Sequence, residues 1–284
     1  MLKEYYTLVK PGIVYGNAFT TLAAFLFASR WQLSPWLLCA TLLGIALVIA
    51  SACVCNNYID RDIDQKMART KSRALATGTI PVRNAILYAA VLGILGLILL
   101  YVYVNILTAA MALLGFIFYV ALYSTMKHRS HWAAVVGSVA GAMPIVVGYT
   151  AVTNHLDITA LILLLVLAFW QLPHFYAIAI YRLTEYSAAG IPVLPTQKGI
   201  RASKVHIVFY IAAYLVAACA LTALGHAGYT YLACVLLFGL IWFWLGIKGF
   251  TTLNDAQWAR KLFFFSLIVL VSFSAALSVA MVLP

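Results

Sequence analysis

The sequence predicts an all-α polytopic membrane protein: nine transmembrane helices around a central cavity that opens at the cytoplasmic side. Three observations predict it. Of 284 residues, 65% are hydrophobic and only 9% charged, with a mean hydropathy of +1.01, more apolar surface than a soluble core uses. The apolar residues fall in runs near the ~20 residues that span a bilayer as a helix. Finally, Tyr, Gly and Pro interrupt long Leu/Ile/Val/Ala stretches without the strict alternation of a membrane barrel.

Hydropathy places the spans at 13–29, 35–57, 84–103, 105–123, 132–152, 158–180, 204–223, 229–249 and 262–283. The first follows Lys10-Pro11-Gly12, with proline suited to a first helical turn; it lacks a small-residue cleavage site and is expected to be retained. The connections alternate in character. Those at 30–34, 104, 153–157 and 224–228 are short and nearly uncharged; those at 58–83, 124–131, 181–203 and 250–261 are long and basic. With the N-terminus and the basic set on the cytoplasmic side, every Lys and Arg but Arg30 lies inside, which decides orientation by the positive-inside rule. Every carboxylate but Asp157 joins them, a bias that rule does not require. The expectation is one integral-membrane domain over 1–284, N-terminus cytoplasmic and C-terminus periplasmic, in a bacterial inner membrane, with the chemistry facing the cytoplasm. The two longest inner loops follow spans 2 and 6, the arrangement of a pseudo-repeat whose loops meet over one cavity.

The net charge of +11 would suggest nucleic acid in a soluble chain. Here it reads as topology plus an anionic ligand at a membrane surface, with lipid and no nucleic acid as surroundings. Cys39, Cys53, Cys55, Cys219 and Cys234 lie in or beside apolar runs, without zinc spacing, and read as small packing residues.

The end of span 2 concentrates scarce acid: Cys55-Asn56-Asn57-Tyr58-Ile59-Asp60-Arg61-Asp62-Ile63-Asp64. If the helix runs on through Asp64, then Asn57, Asp60 and Asp64, spaced +3 and +4, form a stripe, with Asn56 and Asp62 facing elsewhere. Oxygen ligands on one stripe suit Mg²⁺, which takes one or two carboxylates plus substrate phosphates. Arg61, Lys66, Arg69, Lys71 and Arg73 follow. An acidic face followed by cations suits a metal diphosphate.

These residues resemble a known family. Asn56 to Asp64 is similar to the N-D/N-x-x-D-x-x-x-D signature of UbiA-type intramembrane prenyltransferases, which have nine transmembrane helices and bind a prenyl diphosphate with Mg²⁺. Met67-Ala68-Arg69-Thr70-Lys71-Ser72-Arg73-Ala74-Leu75 resembles the M-x-R-T-x-x-R-P-L run of its haem-acting branch, the protohaem farnesyltransferases, with Ala74 in place of the usual proline. Trp170-Gln171-Leu172-Pro173-His174-Phe175 is similar to the branch's W-Q-x-P-H-F, and Ile191-Pro192-Val193-Leu194-Pro195 to its I-P-M/V-L-P. Tyr123 to Arg129 resembles Y-S/T-x-x-L-K-R, with Met126 for Leu and His128 inserted into the basic pair.

The resemblance implies farnesyl diphosphate and haem B as substrates, haem B being a substrate rather than a cofactor, and Mg²⁺ as the cofactor. Haem O and diphosphate would be the products, and a downstream haem A synthase or terminal oxidase a partner. It makes Asp60, Asp64, Lys71 and Arg73 the catalytic candidates, and Asn57, Asp60 and Asp64 the metal ligands. The diphosphate would meet Arg61, Lys71, Arg73, Tyr123, Lys127, Arg182 and Lys198. Arg182 and Glu185 form a second polar cluster where relatives often carry another aspartate pair, leaving a second metal open. Trp170, Gln171, His174 and Asn17 are candidates for the haem pocket. His174 is open to three readings: iron ligand, hydrogen-bonded wall residue, or partner of a propionate. Asn17 would line the cavity or bond a neighbouring helix. The small residues around Gly141 would permit close helix packing or make room for a macrocycle.

Two alternatives stand beside this reading. A related prenyltransferase would act on a quinone or chlorin. A transporter for an anionic solute would place its polar groups at the bilayer midplane, whereas here they crowd the inner ends.

Overall fold

Prolines and short polar side chains set where the helices begin. Pro11 and Pro35 open their helices at positions whose N–H would be unpaired anyway. Asn105, Asp157 and Asn254 cap others, their side chains accepting from the amides of Thr108, Ala160 and Gln257 at 2.7, 2.9 and 3.0 Å. The computed structural model describes residues 2–280 and, among them, contains helices and no strand. The order is α1 (Leu2–Leu8), α2 (Pro11–Ser29), α3 (Pro35–Asp64), α4 (Val82–Tyr103), α5 (Ile106–Met126), α6 (Ala133–Thr153), α7 (Ile158–Tyr181), α8 (Leu183–Ala188), α9 (Leu194–Ala223), α10 (Tyr229–Thr251) and α11 (Asp255–Val279). All but α1 and α8 are long and apolar enough to cross a bilayer, nine candidate spans among the described residues.

Three helices outrun their hydropathy. α3 continues through Asp64, as the stripe required. α9 starts at Leu194 rather than 204, with a kink at Gly199, and α11 at Asp255 rather than 262. The reason is visible at Lys204, which hydropathy reads as a boundary. Its ammonium is buried 2.5 Å from Asp255 Oδ1 and lies 5.5 Å from the centre of the Trp258 ring. A pair made across two helices lets both extend past their apolar stretch. Residues 281–283 of the last expected span lie outside the described residues.

Polarity does not sort inside from outside here. Leu87, Ile94, Val216, Leu237 and Val271 are exposed, as a lipid-facing surface permits. The main core joins α6, α7, α9, α10 and α11 through Ile145, Leu163, Val166, Ile207, Ile211, Tyr214, Trp242 and Phe273. Polar pins between helices fix the register. The Thr21 hydroxyl donates to the Pro144 carbonyl at 2.9 Å, Ser51 to Ala89 at 2.7 Å, and the Asn105 amide to Thr150 at 3.0 Å. Prolines inside α6 and α7 leave both helices continuous; Pro173 removes a ladder bond without ending α7.

Candidate functional site

α3 delivers Asn56, Asn57, Asp60 and Asp64 to its C-terminal end with 2, 2, 7 and 5% of their surfaces exposed. Burying carboxylates demands partners, and other elements supply them. Lys127, past the end of α5, pairs with Asp60 Oδ2. Arg73, in the loop after α3, donates to Asp64 Oδ2 at 2.8 Å. His128 Nε2 lies 3.2 Å from Asp60 Oδ1 but makes no hydrogen bond there, so that oxygen stays unbonded. Lys10, in the turn between α1 and α2, donates to Asn56 Oδ1 at 2.5 Å, and the Asn56 amide donates to Ser124 at 3.0 Å.

These groups line one cavity of about 330 Å³, floored by Asn56, Asp60 and Asp64 and ringed by Lys10, Arg69, Arg73 and Lys127. Four cations face two carboxylates, an excess that suits an anion carried with a metal. Burial pulls the Lys10 amine down to about 8 and lowers that of Lys127, although Asp60 opposes both shifts. Burial likewise lowers His128, and the neighbouring Lys127 adds to that shift. Tyr186 on α8 and Ile191 to Leu194, leading into α9, also line this cavity, so the connections after α3 and after α7 meet over it.

Several residues named from the sequence lie outside the charged cavity. Asn56, not Asn57, shares the cavity with Asp60 and Asp64. Both amides lie near the stripe on a helical wheel, but Asn57 turns to α1 and donates to the Leu8 carbonyl at 2.7 Å, its own oxygen left buried and unbonded. Arg61 turns away, 3.5 Å from Asp62 and 4.5 Å from the centre of the Tyr58 ring. Lys71 and Lys198 are exposed and line neither cavity. Arg182 does pair with Glu185, at 3.2 and 3.3 Å, but the pair lies outside the cavity lining. Lys10 and His128 line the cavity without a sequence assignment to the site; Arg69, placed by sequence only in the basic loop, and Asn56, placed facing elsewhere, line it too. Asn56 had a signal, standing one helical turn before Asp60.

A second cavity of about 390 Å³ adjoins the first and is mainly apolar. Asn17, Trp170, Gln171 and His174 all line it, as does Cys53. Asn17 bonds only its own helix, its amide donating to Ile13 at 2.8 Å. Gly141 lines this cavity and packs closely as well: a Cβ there would fall 2.1 Å from Gln171 Oε1. Of the cysteines only Cys53 is buried, and Cys39 is exposed; an apolar thiol needs no polar shelter when the surroundings are lipid.

Ile13, Tyr119, Tyr123 and Phe175 line both cavities and form the neck between them. α5 widens into a π-helical turn over Phe118–Tyr123, the irregularity that often marks a working site. Its two tyrosines stack with ring centres 5.4 Å apart, and Lys127 Nζ lies 5.4 Å from the Tyr123 ring centre. A charged chamber thus opens through aromatic faces into an apolar one.

The UbiA prenyltransferase family model matches residues 17–268. The protoheme IX farnesyltransferase of Yersinia pseudotuberculosis serotype O:1b is 49% identical over 280 residues, covering 98% of this chain and 95% of that protein. The enzyme of that name from Yersinia enterocolitica is 48% identical over 285 residues, covering 100% and 96%, and that from Edwardsiella ictaluri 47% over 280 residues, covering 98% and 95%. Among solved structures, one of a digeranylgeranylglyceryl phosphate synthase superposes with a TM-score of 0.83 at 19% identity, covering 99% of this chain and 98% of that one. A UbiA homologue from Archaeoglobus fulgidus bound to GPP and Mg²⁺ superposes with a TM-score of 0.71 at 18% identity, covering 97% and 99%. At those identities the solved structures speak for the fold alone.

Proposed function

This chain belongs to the UbiA prenyltransferase family, and from that premise we propose how its two cavities work. The protein transfers a farnesyl group from farnesyl diphosphate to a vinyl group of haem B, with addition of water, giving haem O and diphosphate. The observation that carries this reading is the junction of a cation-rich chamber holding two buried carboxylates with an apolar chamber walled by Trp170, Gln171, His174 and Asn17.

The donor set fits a divalent cation. Asp60 keeps one buried oxygen without a hydrogen bond, Asp64 lies on the same wall, and Asn56 has beside them an amide oxygen that now accepts from Lys10. Asp60, Asp64 and Asn56 would hold Mg²⁺, the ion bound by the Archaeoglobus homologue. When bound, the ion offsets phosphate charge and polarises the bond to be broken. The chain does the rest. Lys127 and Arg73, which now neutralise Asp60 and Asp64, turn to phosphate oxygens together with Lys10 and Arg69. The C1–O bond of the farnesyl chain breaks with both electrons leaving on diphosphate. The resulting allylic cation lies against the faces of Tyr119, Tyr123 and Phe175, whose quadrupoles stabilise it in a site poor in water. Electrons of the haem vinyl double bond then attack C1. Water adds to the cation left on the acceptor and loses a proton, leaving a hydroxyl.

The charged chamber takes the cytoplasmic side, because the basic loops gather there. We assign the whole chain, 1–284, to one domain in a bacterial inner membrane, N-terminus inside and C-terminus in the periplasm. Its product passes to an enzyme that consumes haem O, a haem A synthase or a terminal oxidase. Expression in a bacterial host lacking its own haem farnesylation tests the reading. Extracted haems should contain haem O by mass spectrometry; protohaem alone, with the protein present in the membrane, would contradict it.

A further inference from the structure

Ser266, on α11, resolves the state of His174. The Ser266 hydroxyl has one proton, and it donates that proton to the Phe263 carbonyl at 2.6 Å. His174 Nδ1 lies 2.7 Å from the same hydroxyl oxygen. With its proton committed, Ser266 can only accept from the imidazole. The ring is therefore protonated on Nδ1, and in the neutral imidazole Nε2 carries a bare lone pair. Packing holds the ring in place. Trp170 stacks on it with centres 4.9 Å apart, and Phe263 lies 4.7 Å away. Trp170 is itself tied to α11, donating from Nε1 to the Ser266 carbonyl at 2.9 Å. No described residue donates to His174 Nε2, and His174 lines the apolar cavity.

A neutral imidazole fixed by its second nitrogen, in a residue that lines an apolar cavity, is the arrangement of a metal ligand. We propose that His174 Nε2 is the axial ligand that docks the acceptor macrocycle through its iron, with Ser266 as the positioning residue that holds the tautomer. The proposal rests on the haem-acceptor reading above. It assigns the iron a role in binding, although the reaction occurs at a vinyl group on the macrocycle's edge. A macrocycle held there also lies beside the neck residues Tyr119, Tyr123 and Phe175, which the two cavities share.

The test compares two probes on the full chain in detergent: ferric protohaem IX and metal-free protoporphyrin IX. The wild type should bind protohaem about tenfold or more tightly, a ratio worth about 1.4 kcal/mol. Ferric haem in the wild type should also show nitrogen hyperfine coupling from an axial imidazole, a readout that needs no variant. In His174→Ala the ratio should fall toward unity and that coupling should vanish, with added imidazole restoring it. Ser266→Ala should reduce the ratio less. Farnesyl diphosphate binding checks that each variant is folded. A general-base or purely structural role for His174 would leave the ratio unmoved. Wild-type protein that binds haem with an unchanged ratio in His174→Ala overturns the ligand assignment alone. Wild-type protein that binds farnesyl diphosphate but neither porphyrin overturns the acceptor reading, and this inference with it.

Discussion

The C-terminal halves of α3 and α7 both carry polar residues into the cavities, but they hold them differently. On α3 both buried carboxylates are neutralised by cations from other elements, Asp60 by Lys127 and Asp64 by Arg73. On α7 the polar groups are neutral: Trp170 and His174 are fixed by hydrogen bonds to Ser266 and by aromatic stacking. Ion pairs can exchange partners when an anion arrives, because the cations move from carboxylate to phosphate at little net cost in charge. A packed ring cannot rearrange that way, so its geometry must be correct beforehand. The charged chamber is thus built to be rearranged by its ligand, and the apolar chamber to receive its ligand unchanged.

The sharpest way to break this contrast is at the acids. Asp64→Asn and Asp60→Asn keep shape but remove charge; turnover measured as haem O formed should fall by about 10³-fold or more, as when a principal electrostatic contact in a site is lost. A variant retaining a tenth of wild-type turnover would remove the metal assignment. Next comes Lys127→Met. It should lower kcat/KM for farnesyl diphosphate by about 10²-fold and leave the affinity for protohaem unchanged. Lost haem affinity would mean the two chambers are not separable.

Two glycines probe the rigid side. A Cβ on Gly148 would lie 2.1 Å from the backbone oxygen of Thr21, which cannot swing aside. Gly148→Ala should therefore cost about 1–3 kcal/mol of stability, read as a lower unfolding temperature in detergent. A Cβ on Gly141 would meet the movable end of Gln171 instead. Gly141→Ala should leave stability nearer wild type and raise KM for haem severalfold as Gln171 is displaced in the cavity. Equal destabilisation by both would show Gln171 to be as fixed as backbone. The smallest effect belongs to Lys71→Ala and Lys198→Ala, both exposed and outside the cavities. Kinetics should stay within about twofold of wild type, as for solvated surface charges.

Legibility followed the same divide. The α7 group was readable because Trp170 to Phe175 resembles the family's W-Q-x-P-H-F run, and because Trp170 and His174, four apart, share a helix face. On α3 the period sufficed for Asp60 and Asp64 but not for the choice between Asn56 and Asn57. That choice depended on the Leu8 carbonyl, which α1 brings against Asn57. The loop after α3 was least readable. Residues 65–81 are turns without a period, so nothing local says that Arg69 and Arg73 face the cavity while Lys71 does not. Lys204 misled hydropathy for a related reason, since its partner Asp255 is remote in sequence. The seven-residue α1, too short and too polar for a hydropathy scan, also went unread although it carries that carbonyl.

The central claim is that cleavage in the charged chamber feeds a farnesyl cation to a haem held in the apolar one. Purified protein in detergent, given haem B, farnesyl diphosphate and Mg²⁺, tests it directly, with porphyrins resolved by liquid chromatography and mass spectrometry. The account predicts a haem heavier by one farnesyl group and one water, formed with Mg²⁺ and lost on chelation. Protein that binds both substrates yet returns haem B unchanged, or that forms the product equally well after chelation, would contradict it.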